Sequence, residues 1–154
     1  VTEVQQPSAA SWSRGIKVRC RLHYYLADRE ARKIDADAIG ILVDSDATVT
    51  ESSIANLVIV QGERLVSPPR DQVLCGVSLQ VVRELAVQLG FDWAEERITA
   101  DRLRRADEVL LTGTSCGLWF ANSIDGSQSR VAGPVYRKLR SAFDALIATG
   151  ESGV

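Results

Sequence analysis

Residues 48–57, TVTESSIANL, are the most informative part of this sequence. Taken alone, it predicts a turn, a buried acid at Glu51 and the start of a strand at Asn56. Three other segments lie at fixed distances from it. Ile16-Lys17 comes before it, LCGVS at 74–78 opens an apolar helix, and LTGTS follows at 111–115. Together the four segments offer an amine, a carboxylate, a glycine turn at a helix N-terminus and a hydroxyl-rich turn.

Composition is that of a single globular domain. The 154 residues are 45% hydrophobic and 25% charged, which is ordinary for a chain with one core. A net charge of -2 favours neither nucleic acid nor an anionic membrane as a partner. No apolar run approaches the roughly 20 residues of a membrane helix. The three cysteines and one histidine lack metal-ligand spacing, so we expect no metal site, reduced thiols and a cytoplasmic location.

Hydrophobic spacing predicts a mixed α/β domain at 14–150, preceded by a linker or frayed end at 1–13 and followed by a tail at 151–154. Apolar residues at helical spacing predict helices over 22–33 and 77–89, a short one over 100–105 capped by Thr99, and a last one beginning at Gly133-Pro134. Short apolar runs predict strands over 38–43, 56–60, 64–66, 92–98, 107–112 and 118–123. Trp119 and Phe120 either narrow a pocket or lie in the core, and we expect the core.

These motifs resemble those of the class IV, or fold-type IV, aminotransferases that depend on pyridoxal 5'-phosphate. That family includes branched-chain and D-amino-acid aminotransferases and aminodeoxychorismate lyase. The matching features are VTE at 49–51 with Asn56 before a strand, ADE at 106–108, and the Glu30-Ala31 pair that follows Lys17 at the family's distance. The resemblance implies the family's C-terminal domain, in which helices flank strands arranged as a pseudo-barrel.

The resemblance also implies roles for the amine and the carboxylate. Lys17 would form the Schiff base with pyridoxal 5'-phosphate and later move a proton. Glu51 would pair with the pyridine nitrogen and keep it protonated, so that the ring accepts electrons. Asn56 either contacts the cofactor or only satisfies the backbone of the turn.

The two remaining segments would hold the phosphate and the substrate. Gly76, Val77 and Ser78 would present backbone N–H groups to the phosphate, with Leu74 packed on the ring. Thr114 would contact the phosphate and the substrate, and Ser115 and Cys116 the substrate. Residues 75–79 depart mildly from the family's Pro-Gly-Ile-Thr-Arg. Gly117 to Phe120 stand where many members have Glu-Ile-Thr-Pro.

The resemblance spans about Arg14 to Thr149 and covers only the larger, C-terminal domain of the family. The implied activity is transfer of an amino group between an amino acid and a 2-keto acid. Two alternatives stay open: a lyase acting on an aminodeoxychorismate-like substrate, and a non-catalytic domain that serves in assembly. We expect an exposed apolar interface, and either a homodimer or association with an N-terminal domain.

Overall fold

The computed structural model describes residues 1–11, 13–127 and 131–150, so the predicted tail at 151–154 lies outside the described residues. The helices are α1 Leu22–Ala31, α2 Val77–Gln88, α3 Ala100–Arg104 and α4 Pro134–Ala148. The strands are β1 Ile41–Val43, β2 Thr48–Ser52, β3 Asn56–Gln61, β4 Arg64–Ser67, β5 Asp92–Glu95, β6 Ile98–Thr99, β7 Glu108–Gly113 and β8 Gly117–Phe120. The mixed α/β class predicted from the sequence is confirmed.

Strand β3 lies at the centre of an eight-stranded sheet. It pairs with β4 on one side and β7 on the other, and Asn56 at its start pairs with Glu51 at the end of β2. Strand β2 also carries β1 and β6, while β8 pairs with β7. All of these pairings are antiparallel, and only β5 runs parallel to its neighbour β4. The single pair Glu51–Asn56 therefore joins the two halves of the sheet.

Both faces of β3 are buried, because successive side chains of a strand point to opposite sides. Leu57 and Ile59 belong to one core cluster, together with β6 and α3. Val58 and Val60 belong to the second, which α2 and α4 cover. Not every apolar residue at helical spacing lies in the core, since Val77, Leu89 and Ile147 are exposed at the helix ends.

Two stretches differ from the predicted strands. Residues 48–52 form β2 rather than a turn, and all five are buried because polar side chains find partners there; Thr50 Oγ1, for example, donates to the Leu42 carbonyl at 3.1 Å. The strand predicted over 92–98 is two strands. β5 pairs with β4 and β6 pairs with β2, so the chain leaves one half of the sheet for the other at Glu96 and Arg97.

Residues 1–6 are not frayed, which corrects that part of the prediction for residues 1–13. Thr2 and Gln6 are buried, and their backbone N–H groups donate to the carbonyls of Ile41 and Val43 at 2.9 and 2.8 Å. The segment is ordered because it supplies partners to the free edge of β1, which would otherwise bury unpaired carbonyls.

Several large apolar side chains remain exposed. On α1 they are Leu22, Tyr25 and Leu26, and on β8 Trp119 is 44% exposed, contrary to the expectation that it lies in the core. Trp119 pairs with Leu111 of β7 and lines an open cavity of about 430 Å³, whereas its neighbour Leu118 points into the second core. None of the described helices is both long and apolar enough to cross a membrane.

Candidate active site

One cleft of about 130 Å³ collects most of the residues singled out from the sequence. It lies where the loop before α1, the end of β2, the start of α2 and the end of β7 meet. Its lining includes Lys17, Glu51, Asn56, Leu74, Gly76, Ser78 and Thr114. Three predicted residues do not line it: Val77 and Ser115 are exposed, and Cys116 is half-buried, with its Sγ 3.7 Å from the Gly113 carbonyl oxygen.

Glu51 forms the floor of the cleft and is 6% exposed. Its Oε1 accepts hydrogen bonds from Tyr24 Oη at 2.6 Å and from Gln6 Nε2 at 3.0 Å. Its Oε2 accepts from Asn56 Nδ2 at 3.2 Å and from the backbone N–H of Leu74 at 3.1 Å. Four donors therefore surround one buried carboxyl group, as its ionised form requires.

Burial and hydrogen bonding act on Glu51 in opposite directions. Burial raises the pKa of the Glu51 carboxyl group, whereas the bonds from Tyr24, Leu74 and Gln6 and the charge of Arg14 oppose that rise. The pKa of its partner Tyr24 is also shifted: burial and the nearby Glu51 charge raise the pKa of the phenol far above its usual range. Tyr24 consequently keeps its proton and acts as a donor.

Asn56 connects the floor of the cleft to the start of α2. Besides its bond to Glu51, its Nδ2 donates to the Leu74 carbonyl at 2.7 Å. Gly76 packs so closely on this amide that a Cβ there would overlap Asn56 Oδ1. Glycine is therefore needed at 76 for close packing.

The N-terminus of α2 faces the cleft without a side-chain cap. Gly76 is the N-cap residue, and within the described part of the chain no acceptor is recorded for the N–H groups of Val77 and Ser78. These groups carry the positive end of the helix dipole. The helix end is thus an unfilled set of donors suited to an anion.

Three cations line the cleft in different states. The side chain of Arg14 is 6% exposed and is neutralised by a bidentate pair with Asp44 at 3.0 and 3.1 Å. The Arg21 guanidinium contacts the Ser53 carbonyl and lies 4.8 Å from the centroid of the Tyr24 ring. Lys17 is exposed on the loop before α1, and among the described residues it makes no recorded hydrogen bond or ion pair. Among the described residues that line the cleft, Lys17 therefore supplies an unpaired amine.

Two buried hydroxyl groups in the lining have no partner among the described residues. They are Ser53 Oγ and Thr112 Oγ1. An unpaired buried hydroxyl is costly unless a ligand or water completes it. Both lie beside the glycine turn at Gly113, where a Cβ would press on the Ile54 carbonyl and on Cys116 Sγ.

The sequence did not single out Gln6, Tyr24, Arg14, Ser53 or Thr112 as site residues. Ser53 and Thr112 adjoin predicted motifs, so their nearness was a usable signal. Gln6 and Tyr24 reach Glu51 across 45 and 27 residues of chain. No local sequence pattern predicts these contacts, because they depend on how the N-terminal segment and α1 pack on the sheet.

A family model for class IV aminotransferases matches residues 1–124. The chain belongs to this family. It is 35% identical over 136 residues to branched-chain-amino-acid aminotransferase-like protein 2 of Arabidopsis thaliana, an alignment covering 86% of this chain and 24% of that protein. Every residue that lines the cleft, including Lys17, Glu51, Asn56 and Gly76, lies within the residues that the family model matches.

Solved structures agree with this assignment. The branched-chain aminotransferase of the archaeon Thermoproteus uzoniensis, solved with norvaline, superposes with a TM-score of 0.88 at 26% identity, over 99% of this chain and 51% of that one. The T.th. branched-chain aminotransferase, complexed with N-(5'-phosphopyridoxyl)-L-glutamate, gives 0.86 at 29% identity, over 97% and 50%. This class IV chain spans about half the length of these proteins.

A third structure bears on the lyase alternative. A Legionella pneumophila protein assigned as a 4-amino-4-deoxychorismate lyase superposes with a TM-score of 0.83 over 94% of this chain and 53% of that one. Its identity is 23%, so the likeness shows a shared fold and nothing about the reaction.

Proposed function

We propose that this chain is the cofactor-holding part of a pyridoxal-phosphate-dependent aminotransferase, which moves an amino group between an amino acid and a 2-keto acid. One observation supports this most strongly: a buried carboxyl group with four donors, Glu51, shares a cleft with a free amine, Lys17. A buried carboxyl group and an amine in one cleft match the two polar ends of a pyridoxal ring.

The residues present fit that cofactor. The unfilled N–H groups of Val77 and Ser78 are suited to a phosphate dianion. The orphaned hydroxyls of Ser53 and Thr112 need a polar partner, which a phosphate or phenolic oxygen supplies. Gly76 leaves the space that a side chain would fill. Leu74 offers an apolar contact for a ring between these polar groups.

Each residue then has a part in the reaction. When bound, pyridoxal phosphate stabilises the electron pair left on the substrate Cα after a proton departs. Lys17 Nζ would take that proton and return it to the carbon that was the aldehyde carbon of the cofactor. Glu51 holds the ring nitrogen in its protonated form by charge and hydrogen bonding. Thr114, at the rim of the cleft, donates to the substrate carboxylate and orients it.

A lyase is the second candidate, and the observation that favours it is Arg21 in the cleft lining, since Arg21-Leu22 after the lysine is similar to that branch. The two reactions differ in what remains on the protein. Transamination leaves the amino group on the cofactor until a second keto acid takes it, whereas in the lyase reaction the amino group departs with the product and the cofactor is left unchanged. Product analysis after one turnover therefore separates them.

The experiment is a single turnover by the chain loaded with pyridoxal phosphate. Single amino acids are added without an acceptor, and the keto acid formed is counted per bound cofactor. We expect one keto acid per site, with Lys17→Ala at least about 100-fold slower because the general base is lost. Lys33→Ala, which removes an exposed lysine remote from the cleft lining, is the control and should match wild type. Equal rates for wild type and Lys17→Ala would contradict the proposal.

A further inference from the structure

The four donors on Glu51 are not equivalent. Gln6 is buried on the edge of the sheet, Asn56 is fixed by its second bond to Leu74, and the Leu74 donor is backbone. Tyr24 alone comes from a helix, and its bond of 2.6 Å is the shortest of the four. A short hydrogen bond to an ionised group is among the strong ones. Tyr24 is thus the strongest single restraint on the carboxyl group.

Contacts on its other sides hold the Tyr24 ring in place. The Arg21 guanidinium lies 4.8 Å from the ring centroid, and the His23 ring packs against it at 4.1 Å with a tilt of 41°. The hydroxyl is therefore aimed at Glu51 by its packing, before any ligand arrives. Such preorganisation is what a positioning group needs.

We propose that Tyr24 is a positioning residue of this site: its hydroxyl fixes the orientation of the Glu51 carboxyl group and keeps it ionised, ready for a protonated ring nitrogen. The inference rests on the proposed function, since it assumes that Glu51 meets the cofactor ring.

The energetic reason is the burial of Glu51. A carboxylate removed from water tends to take up a proton, and a neutral Glu51 would no longer favour a protonated pyridine. The Tyr24 bond lowers the Glu51 pKa against this tendency. Other groups also face the cleft. The charge of Arg14 acts in the same direction, although Asp44 pairs with it, and Lys17, Arg21 and His23 complete the titratable or charged lining.

The chain provides a matched control in the next residue. Tyr25 lies on the same helix but is 60% exposed and points away from the cleft. Tyr24→Phe and Tyr25→Phe each remove one hydroxyl from one ring. Any difference between them reports the contact with Glu51 and not the loss of a tyrosine from α1.

The first arm of the test needs no cofactor. Carboxyl carbon resonances of labelled glutamate are titrated by NMR in wild type, Tyr24→Phe and Tyr25→Phe, with Glu51→Gln identifying the Glu51 signal. We expect the Glu51 midpoint to rise by about one pH unit in Tyr24→Phe and to stay at the wild-type value in Tyr25→Phe. An unchanged midpoint in Tyr24→Phe overturns the proposal.

A second variant guards against misfolding of Tyr24→Phe. Replacing the tyrosines by 3,5-difluorotyrosine keeps ring and hydroxyl while making the phenol a stronger donor. Among the described residues only Tyr24 donates to Glu51 from a phenol, so the Glu51 midpoint should fall. No change would again count against the proposal.

The second arm measures affinity for pyridoxal phosphate by absorbance. We expect Tyr24→Phe to bind about tenfold more weakly, or worse, and Tyr25→Phe to bind as wild type does. Wild type that fails to bind would remove the proposed function, while the Glu51 titration would still decide the part played by Tyr24. Wild type that binds, with Tyr24→Phe equal to it in both arms, would overturn the inference and leave the proposed function standing.

Discussion

Two buried glutamates of this chain lie on strands of one sheet and do different work. Glu108, at the start of β7, is 7% exposed, and Glu51, at the end of β2, is 6% exposed. Glu108 accepts from the backbone N–H groups of Val135 and Tyr136 at 2.9 and 2.8 Å, and so caps the N-terminus of α4. Glu51 accepts chiefly from side chains that line a cleft.

The difference shows that burial alone does not mark a functional acid. The donors of Glu108 are the orphan groups of a helix end, and Gly133 closes over its carboxyl group so tightly that a Cβ there would overlap it. The carboxylate oxygens of Glu108 are thus occupied in capping α4. Around Glu51 the corresponding helix, α2, leaves its own N-terminal donors free. What separates the two sites is whether the helix end beside the acid is filled or open.

The largest effect on stability should come from Glu108→Ala. It leaves two buried N–H groups unpaired and removes a charge from the positive end of α4, so we expect a loss of about 2–4 kcal/mol in the free energy of unfolding. Urea denaturation measures it. Glu84→Ala, at an exposed position of α2 with no recorded partner in the described part of the chain, should change stability by less than about 0.5 kcal/mol. A similar loss of unfolding free energy in the two variants would show that the Glu108 cap of α4 does not stabilise the protein.

Next come the two glycines that pack on the acids. Gly133→Ala should displace Glu108 and destabilise the protein by about 1–3 kcal/mol. Gly76→Ala should displace Asn56 and destabilise the protein by a comparable amount. In addition, it should weaken binding of pyridoxal phosphate. Denaturation together with cofactor titration distinguishes them.

Gly15→Ala is the control for both glycine variants, since a Cβ there meets only Ser13 Oγ at 3.6 Å. Loss of cofactor affinity in Gly133→Ala, with none in Gly76→Ala, would reverse the assignment of the two acids.

The smallest effect concerns pH and Glu51. The folded-state pKa of this group is raised, so the folded protein holds the proton more tightly than the unfolded chain does. Its contribution to stability is present below the ordinary glutamate pKa and is lost as pH rises through the folded value. The unfolding free energy of wild type minus that of Glu51→Gln should therefore fall with rising pH and then level off, by about 1.4 kcal/mol for each pH unit of displacement.

Denaturation series over this range measure that difference. A value that rises with pH would mean that the donors outweigh burial and lower the pKa of the carboxyl group.

What the sequence could predict follows from how local each feature is. The helix α2 and the Thr99 cap were predictable because spacing and capping lie within a few residues, and Arg102 N–H indeed donates to Thr99 Oγ1 at 3.2 Å. The burial of Glu51 was predictable from its motif. The polar residues 48–52 predict a turn in place of strand β2, because such residues are typical of loops and their partners lie on neighbouring strands that are distant in sequence.

The donors Gln6 and Tyr24 could not be predicted for a similar reason. Gln6 sits in a polar segment that resembles a linker, and only the edge of β1 gives that segment its order. Tyr24 is one of two adjacent tyrosines on α1, and nothing local says which of them faces the sheet. Their roles emerge when residues far apart in the chain meet at Glu51.

Chemical trapping would show whether Lys17 is the amine that holds the cofactor. The chain is mixed with pyridoxal phosphate, reduced with borohydride and digested, and the labelled peptides are mapped. We expect a visible absorbance band before reduction and one label, on Lys17, with Lys33 and Lys138 unmodified. A label spread over the three lysines, or no label on Lys17 at all, would contradict this expectation.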